Sequence, residues 1–437
     1  MAASFLALLF VCRQTLERLA AARLRIGSAP EVLRLPLSLL SFAALATLVA
    51  AGLVGSRDPL SNPLPLTVWT LVWVGLTLVQ GLFGNVWRWI DLWYGPWRMV
   101  SALLPRTPAG ARQAKQPPPP SPLKLPAWVG LWPAVVLFLA FAWFELIYPA
   151  PDDPEKLAWA VGIYWLASFA LMLAFGHEQW SRRGEFLSVF FGMVARFGIV
   201  EGAAVKDGRD RLFLCLPGAK LAATPALPFG GTLFLLFALA SVSFDGFSKT
   251  FFYFSLNGLN PLEYPGRTAL IGTNSVGLAA ACVVLAGVFL LSVFLGERLA
   301  DSRQGFVTAA GTYVWSIVPI ALAYHFSHYL TVLLVNGQYA LVALSDPFSL
   351  GWNLFGTANM PVAAAIAAGS DAAWAVWNAQ AAAIVAGHVV AVLAAHLLAF
   401  RLHGTARAAA LSQLPLTVLM IAYTVFGLWL LSTPTTG

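Results

Sequence analysis

The chain has 437 residues, of which 59% are hydrophobic and 10% charged, and its formal net charge is +7. A soluble domain of ordinary composition carries about 25% charged residues, so this composition excludes a soluble globular protein and places most of the chain against lipid. Cys12, Cys215 and Cys282 are far apart and form no CxxC pair, which excludes a disulfide scaffold and a thiolate metal site.

In chain order, the opening "MAASFLALLFVC" is too short to span a bilayer. No basic region precedes it and no small-residue cleavage site follows, so it does not read as a signal peptide. The next stretch, "RQTLERLAAARLR", reads as a basic amphipathic helix attracted to anionic lipid at the cytoplasmic surface. Residues 1–35 are thus expected to lie on the membrane and residues 36–437 to form a transmembrane helical domain. Apolar runs of about 20 residues fall at 36–55, 66–86, 127–148, 157–176, 228–247, 268–295, 308–335, 373–400 and 412–432. They predict an all-α, polytopic bundle of nine helices. Its 17 Trp and 30 Phe suit the interfacial anchoring of such helices.

Loop charge tests this count. With the N-terminus in the cytoplasm and the C-terminus in the periplasm, all but four of the 26 Lys and Arg residues fall inside; the exceptions are Arg57, Lys156, Lys249 and Arg267. That asymmetry is what the positive-inside rule requires. The positive net charge is therefore orientation information and not a nucleic-acid signature. The partner it implies is the lipid bilayer.

Two long inner segments separate the spans. Residues 105–126, "PRTPAGARQAKQPPPPSPLKLP", form a basic, Pro-rich linker. The cytoplasmic loop 177–226 contains "RRGEFLSVFFGMVARFGIV", read as a surface helix, and "KDGRDRLFLCLPGAK", read as a hairpin turning at Asp207-Gly208.

Ionisable groups inside spans are expensive and mark candidate sites. His325 and His328, in "AYHFSHYLTVLLVNG", lie on one helical face about a turn apart. His388, in the next span, falls at a depth within about 6 Å of His325, given a rise of 1.5 Å per residue. Glu145 and Asp245 lie near the outer ends of their spans, and Lys249 is placed four residues on to pair with Asp245. Two or three histidines with a carboxylate are the usual donors for a divalent, zinc-like metal, so His325, His328 and His388 are the metal candidates. Glu145 and Asp245 are the catalytic ones. A structural reading stands beside this: intramembrane histidines also hydrogen-bond backbone carbonyls of neighbouring helices, as expected for His396, and Asp245–Lys249 also reads as a structural ion pair. His177 and His403, at inner helix ends, read as surface groups. No GxSxG elbow, Walker lysine motif or Rossmann fingerprint occurs.

Several stretches carry a resemblance: "NPLPLTVWTLVWVGLTLVQGLFGNVWRWIDLWYGPWR", "FAWFELIYPAPDDP", "SFDGF", "ALAYHFSHYLTVLLVNGQYALVALSDPFSLGWNLFG" and "WNAQAAAIVAGHVVAVLAAH". Together, from about residue 56 onward, they resemble a family of bacterial multi-pass membrane proteins labelled fenitrothion hydrolase. The resemblance implies hydrolysis of a lipophilic organophosphorus ester, for which a metal would polarise the phosphoryl oxygen and activate water. Members can begin with a cleavable, histidine-containing region, where this chain has its basic segment. Two other readings use the same residues. One is b-type haem or copper held between His325 and His388; the other is transport of a small solute or metal ion along a path lined by Glu145, Asp245 and the histidines.

Overall fold

The computed structural model describes residues 18, 20–103, 123–204, 209–263, 265–366 and 369–433. Among these, nine helices are long and apolar enough to cross a membrane. They are α1 (Glu31–Val54), α2 (Pro63–Phe83), α3 (Ala127–Leu146), α4 (Pro154–Phe175), α5 (Phe229–Ser248), α6 (Arg267–Leu299), α7 (Phe306–Ser345), α8 (Ser370–His403) and α9 (Ala406–Ser432). The chain is an all-α polytopic bundle, and the nine spans its apolar runs predict are present among the described residues. Contacts between Arg23 and Glu201, Arg88 and Asp210, and Arg401 and the Thr224 carbonyl gather the described basic loops at one end, called here the basic end. Arg57, Lys156, Lys249 and Arg267 lie at the opposite end.

Burial sorts the helices. The most apolar windows of α5 and α7 are 78% and 72% buried, whereas that of α1 is only 17% buried, so α5 and α7 form the centre and α1 an edge. Close approach depends on glycine at two crossings. A Cβ on Gly296 of α6 would lie 1.9 Å from the Ser412 carbonyl oxygen of α9, and one on Gly387 of α8 would lie 2.5 Å from Ala323 Cβ of α7. Without an aqueous driving force between helices, such small-residue contacts let backbones approach and gain dispersion energy.

In α2, residues Leu66–Leu76 form a π-helix, with its wider i→i+5 turns. Asn62 caps the start of α2, its Oδ1 accepting from the Leu64 amide at 3.0 Å while its Nδ2 donates to the Ala51 and Ser56 carbonyls. Within the π-helix the Trp73 carbonyl takes a 2.5 Å hydrogen bond from Thr77 Oγ1.

The segment between α4 and α5 departs from expectation. Its short helix Phe186–Val194 is not a surface helix: Phe186, Val189, Phe190, Phe191, Met193 and Val194 are all buried. Phe186 and Phe190 contact Phe138, Phe141 and Trp73 of the spans. Its N-cap, Glu185, accepts from the Leu187 and Ser188 amides and from the Tyr164 hydroxyl of α4. With apolar residues all round, the helix is a core element.

The expected hairpin is present as β2 (Val200–Ala204) and β3 (Arg209–Leu214), antiparallel with Val200 opposite Leu214; the turn at Asp207-Gly208 lies outside the described residues. A third strand, β1 (Leu24–Pro30), pairs with the other edge of β3, giving the order β1-β3-β2. Of the basic helix expected over residues 13–25, residues 13–17 and 19 lie outside the described residues; Arg18, Ala20 and Ala21 are helical, and the last two positions, Leu24 and Arg25, belong to β1. Most of the Pro-rich linker also lies outside them. The sheet is tied to the bundle by an Arg88–Asp210 ion pair and by Lys220 Nζ donating to the Val200 carbonyl at 2.8 Å.

Candidate functional site

The last turn of α5 places Asp245 in the interior, 7% exposed. Lys249, one turn on at the helix C-cap, brings Nζ to 2.8 Å from Asp245 Oδ1. This is an i,i+4 pair, with the cation at the C-terminus, where the helix dipole favours it. The other oxygen, Oδ2, accepts from His328 Nε2 of α7 at 2.6 Å. Both oxygens of one buried carboxylate are therefore held by basic groups on two different helices.

Tyr329, the next residue of α7, extends the cluster. Its hydroxyl lies 3.2 Å from Glu145 Oε1 on α3 and 3.5 Å from Asp245 Oδ2. The hydroxyl has one proton to share between two carboxyl groups. Its ring meets the imidazoles of both His325 and His328 edge-on, with centroids 4.9 and 4.6 Å away. Arg267, at the start of α6, donates to the Glu145 main-chain carbonyl at 2.8 Å and fixes the end of α3. The structure thus joins Glu145, Asp245 and His328 in one centre, near the end opposite the basic loops. Lys249 and His328 remain 44% and 25% exposed along their side chains, while Asp245 is 10% exposed.

The three histidines expected to share a metal are not brought together. His325 and His328 are about 60° apart around α7, because three residues turn 300°, and this offset sends them to different neighbours. His325 donates from Nε2 to the Trp73 carbonyl of α2 at 3.1 Å, and its ring meets Trp73 edge-on. His388 turns to α9, its Nδ1 lying 2.7 Å from Thr424 Oγ1. Asp245 already holds Lys249 and His328. Among the described residues, no group of three or more His, Cys, Asp or Glu is disposed to hold a metal ion. The donors do not fit a shared divalent centre, and His388, turned to α9, does not form with His325 a bis-histidine pair for haem b or copper. Nearby, Ser327 and Gln380 exchange side-chain and main-chain hydrogen bonds of 2.9 and 2.7 Å that fasten α7 to α8.

Three other histidines are internal. His177 is buried, with Nε2 2.7 Å from Asp91 Oδ2. Burial opposes charge on Asp91. The hydrogen bond and charge of His177, the Trp93 amide and Arg34 outweigh it, holding the carboxyl below the usual carboxylate range. His403 bonds Glu297 at 3.1 Å, its side chain 4% exposed. Both read as surface groups in the sequence, because short helices and basic loops at a helix end mark a surface only when nothing folds over them. His396 bonds the Gln413 side chain of α9 at 2.9 Å, in place of the backbone carbonyl expected for it. Tyr329 and Trp73 were not singled out. An aromatic with a hydroxyl beside two intramembrane histidines was the available signal for Tyr329; nothing in the sequence ties Trp73 to His325.

Comparison with protein-family models, with characterised proteins and with solved structures finds no match for this chain.

Proposed function

We propose that this is a multi-pass protein of the bacterial inner membrane, basic end in the cytoplasm, whose outer-half centre takes up and releases a proton. This is the chemistry of a proton-coupled carrier of a small solute. The observation that carries the reading is the shared Tyr329 hydroxyl, which links Glu145 to the Asp245–His328–Lys249 cluster. Two carboxylates that share one donor in a low-dielectric site ionise together only at a cost, so one of them is the natural proton acceptor. Asp245 is paired with Lys249 and hydrogen-bonded by His328. Glu145 has one side-chain donor and is the group that gains the proton. Solute access from outside, through the partly exposed His328 and Lys249, would couple binding to that proton.

The test is a pH jump on detergent-purified protein with an indicator dye. The expected result is uptake of about one proton per chain, lost in Glu145→Gln. Equal uptake by Glu145→Gln and wild type would refute it.

A second reading is supported by the Asp245–His328 hydrogen bond, the geometry by which a carboxylate orients an imidazole as general base. In that case His328 would activate water against a lipophilic organophosphorus ester, as the family resemblance implies, with no step assigned to a metal. Turnover of a chromogenic phosphotriester that disappears in His328→Gln would select this reading over the carrier.

A further inference from the structure

Four buried polar atoms on α6, α8 and α9 have no protein hydrogen-bond partner: Glu297 Oε2, His396 Nε2, Thr417 Oγ1 and His388 Nε2. They are not scattered. His388, His396 and His403 recur along α8 at intervals of eight and seven residues, which keeps them within about 80° on one side of the helix. Their partners are Thr424 and Gln413 on α9 and Glu297 on α6. Thr417 lies between Gln413 and Thr424 in α9 and so fills the interval between the two histidine levels.

The partners set the ring chemistry. The Gln413 amide donates from Nε2 to the Val392 carbonyl, leaving its oxygen to accept from His396 Nδ1. Thr424 Oγ1 donates to the Met420 carbonyl, leaving its lone pair for His388 Nδ1–H. In each neutral ring, therefore, Nε2 carries a bare lone pair in the interior. A buried acceptor without a partner is unfavourable, and polar sites of this kind hold water.

Other polar groups flank the column at its two ends. At the basic end, His396 packs on Phe400 with ring centroids 4.7 Å apart. Phe400 lines a cavity of about 570 Å³ together with Leu397, Arg401 and Arg23. Glu297 and His403 sit at this level, with Tyr313 bonded to Ser412 at 2.7 Å beside them. At the other end, Tyr423, adjacent to Thr424, bonds through its hydroxyl to Ser243, two residues before Asp245. Its carbonyl accepts from the Tyr324 hydroxyl at 2.5 Å.

We infer that the column between α6, α8 and α9 is a water-bearing proton path joining the basic end of the bundle to the Asp245–His328 centre. From His403 to His388 it covers about 22 Å of helix axis. The Glu297–His403 pair is its station at the basic end, and the lone pairs of His396 and His388 with the Thr417 hydroxyl are the stations further in. Only O–H and N–H bonds are made and broken, and no co-reactant is consumed. The inference rests on the proton-linked reading of the outer centre and deepens it: a carrier site charged from one side needs a route for its proton to the other.

Thr417→Val separates the path from a structural role. The change preserves shape and removes a hydroxyl that has no protein partner, so a structural role predicts an unchanged or higher melting temperature and unchanged flux. The measurement is the internal pH change of proteoliposomes loaded with pyranine and driven by a valinomycin potassium potential, with protein-free liposomes as baseline. Infrared titration of the outer-centre carboxyls on the same samples is the second readout. The path predicts wild-type flux well above baseline and at least a tenfold loss in Thr417→Val and in His396→Leu, with the carboxyl titration retained in Thr417→Val. Wild-type flux at baseline, or undiminished flux in Thr417→Val, overturns the path. Loss of the carboxyl titration in wild type with flux intact overturns the outer-centre reading instead.

Discussion

His328 Nε2 lies 2.6 Å from Asp245 Oδ2, and this contact joins the two most buried helices of the bundle. Asp245 is also bound by Lys249 at 2.8 Å, so removing its charge leaves two basic groups without their carboxylate. Asp245→Asn is expected to lower stability by about 3 kcal/mol, the scale for breaking a buried pair. Lys249→Met removes a half-exposed partner and is expected to cost no more than about 1 kcal/mol. Reversible unfolding in mixed micelles ranks the two; equal costs would mean that His328 contributes nothing to holding Asp245.

Tyr329 and Glu145 act through one hydrogen bond of 3.2 Å. Tyr329→Phe is expected to destabilise by about 1 kcal/mol. Combined with Glu145→Gln, its effect should be non-additive, with a coupling of about 0.5–1.5 kcal/mol. Simple additivity in the double-mutant cycle would remove the bridge between the two carboxyl groups.

At the basic end the Asp91–His177 pair predicts a pH dependence. The Asp91 carboxyl is held below the usual range in the folded protein. Its contribution is therefore complete above the unfolded value of about 3.9, and it is lost as pH falls through the lower folded value. Wild type should lose stability steeply below about pH 4. Asp91→Asn should be less stable at neutral pH and show a shallower acid limb, read from melting temperatures between pH 7 and 3. Parallel curves for the two proteins would contradict the assignment.

Much of the bundle was legible because a span states itself: about 20 apolar residues bounded by charge need no knowledge of neighbours. The Asp245–Lys249 pair was legible for the same reason, since an i,i+4 spacing is local. What His325 and His328 touch was not. Their shared face of α7 is a property of the sequence, but the 60° between them becomes a choice between Trp73 and Asp245 only when α2 and α5 are in place. His388 misled through depth alone: it lies at the level of His325 yet points to α9. Helical phase relative to a neighbour is a packing outcome that spacing along one chain does not encode. The burial of Phe186–Val194, His177 and His403 was hidden because short amphipathic and wholly apolar segments look alike until something covers them. Strand β1 was hidden because the strand it pairs with, β3, lies about 180 residues away.

The most direct test of a proton-binding outer centre is infrared difference spectroscopy of the purified protein across the pH range in which it stays monodisperse. The account predicts a protonated-carboxyl band that grows on acidification, disappears in Glu145→Gln and is displaced in Tyr329→Phe. A band that survives unchanged in Glu145→Gln, or no pH-dependent carboxyl band in wild type, would contradict it.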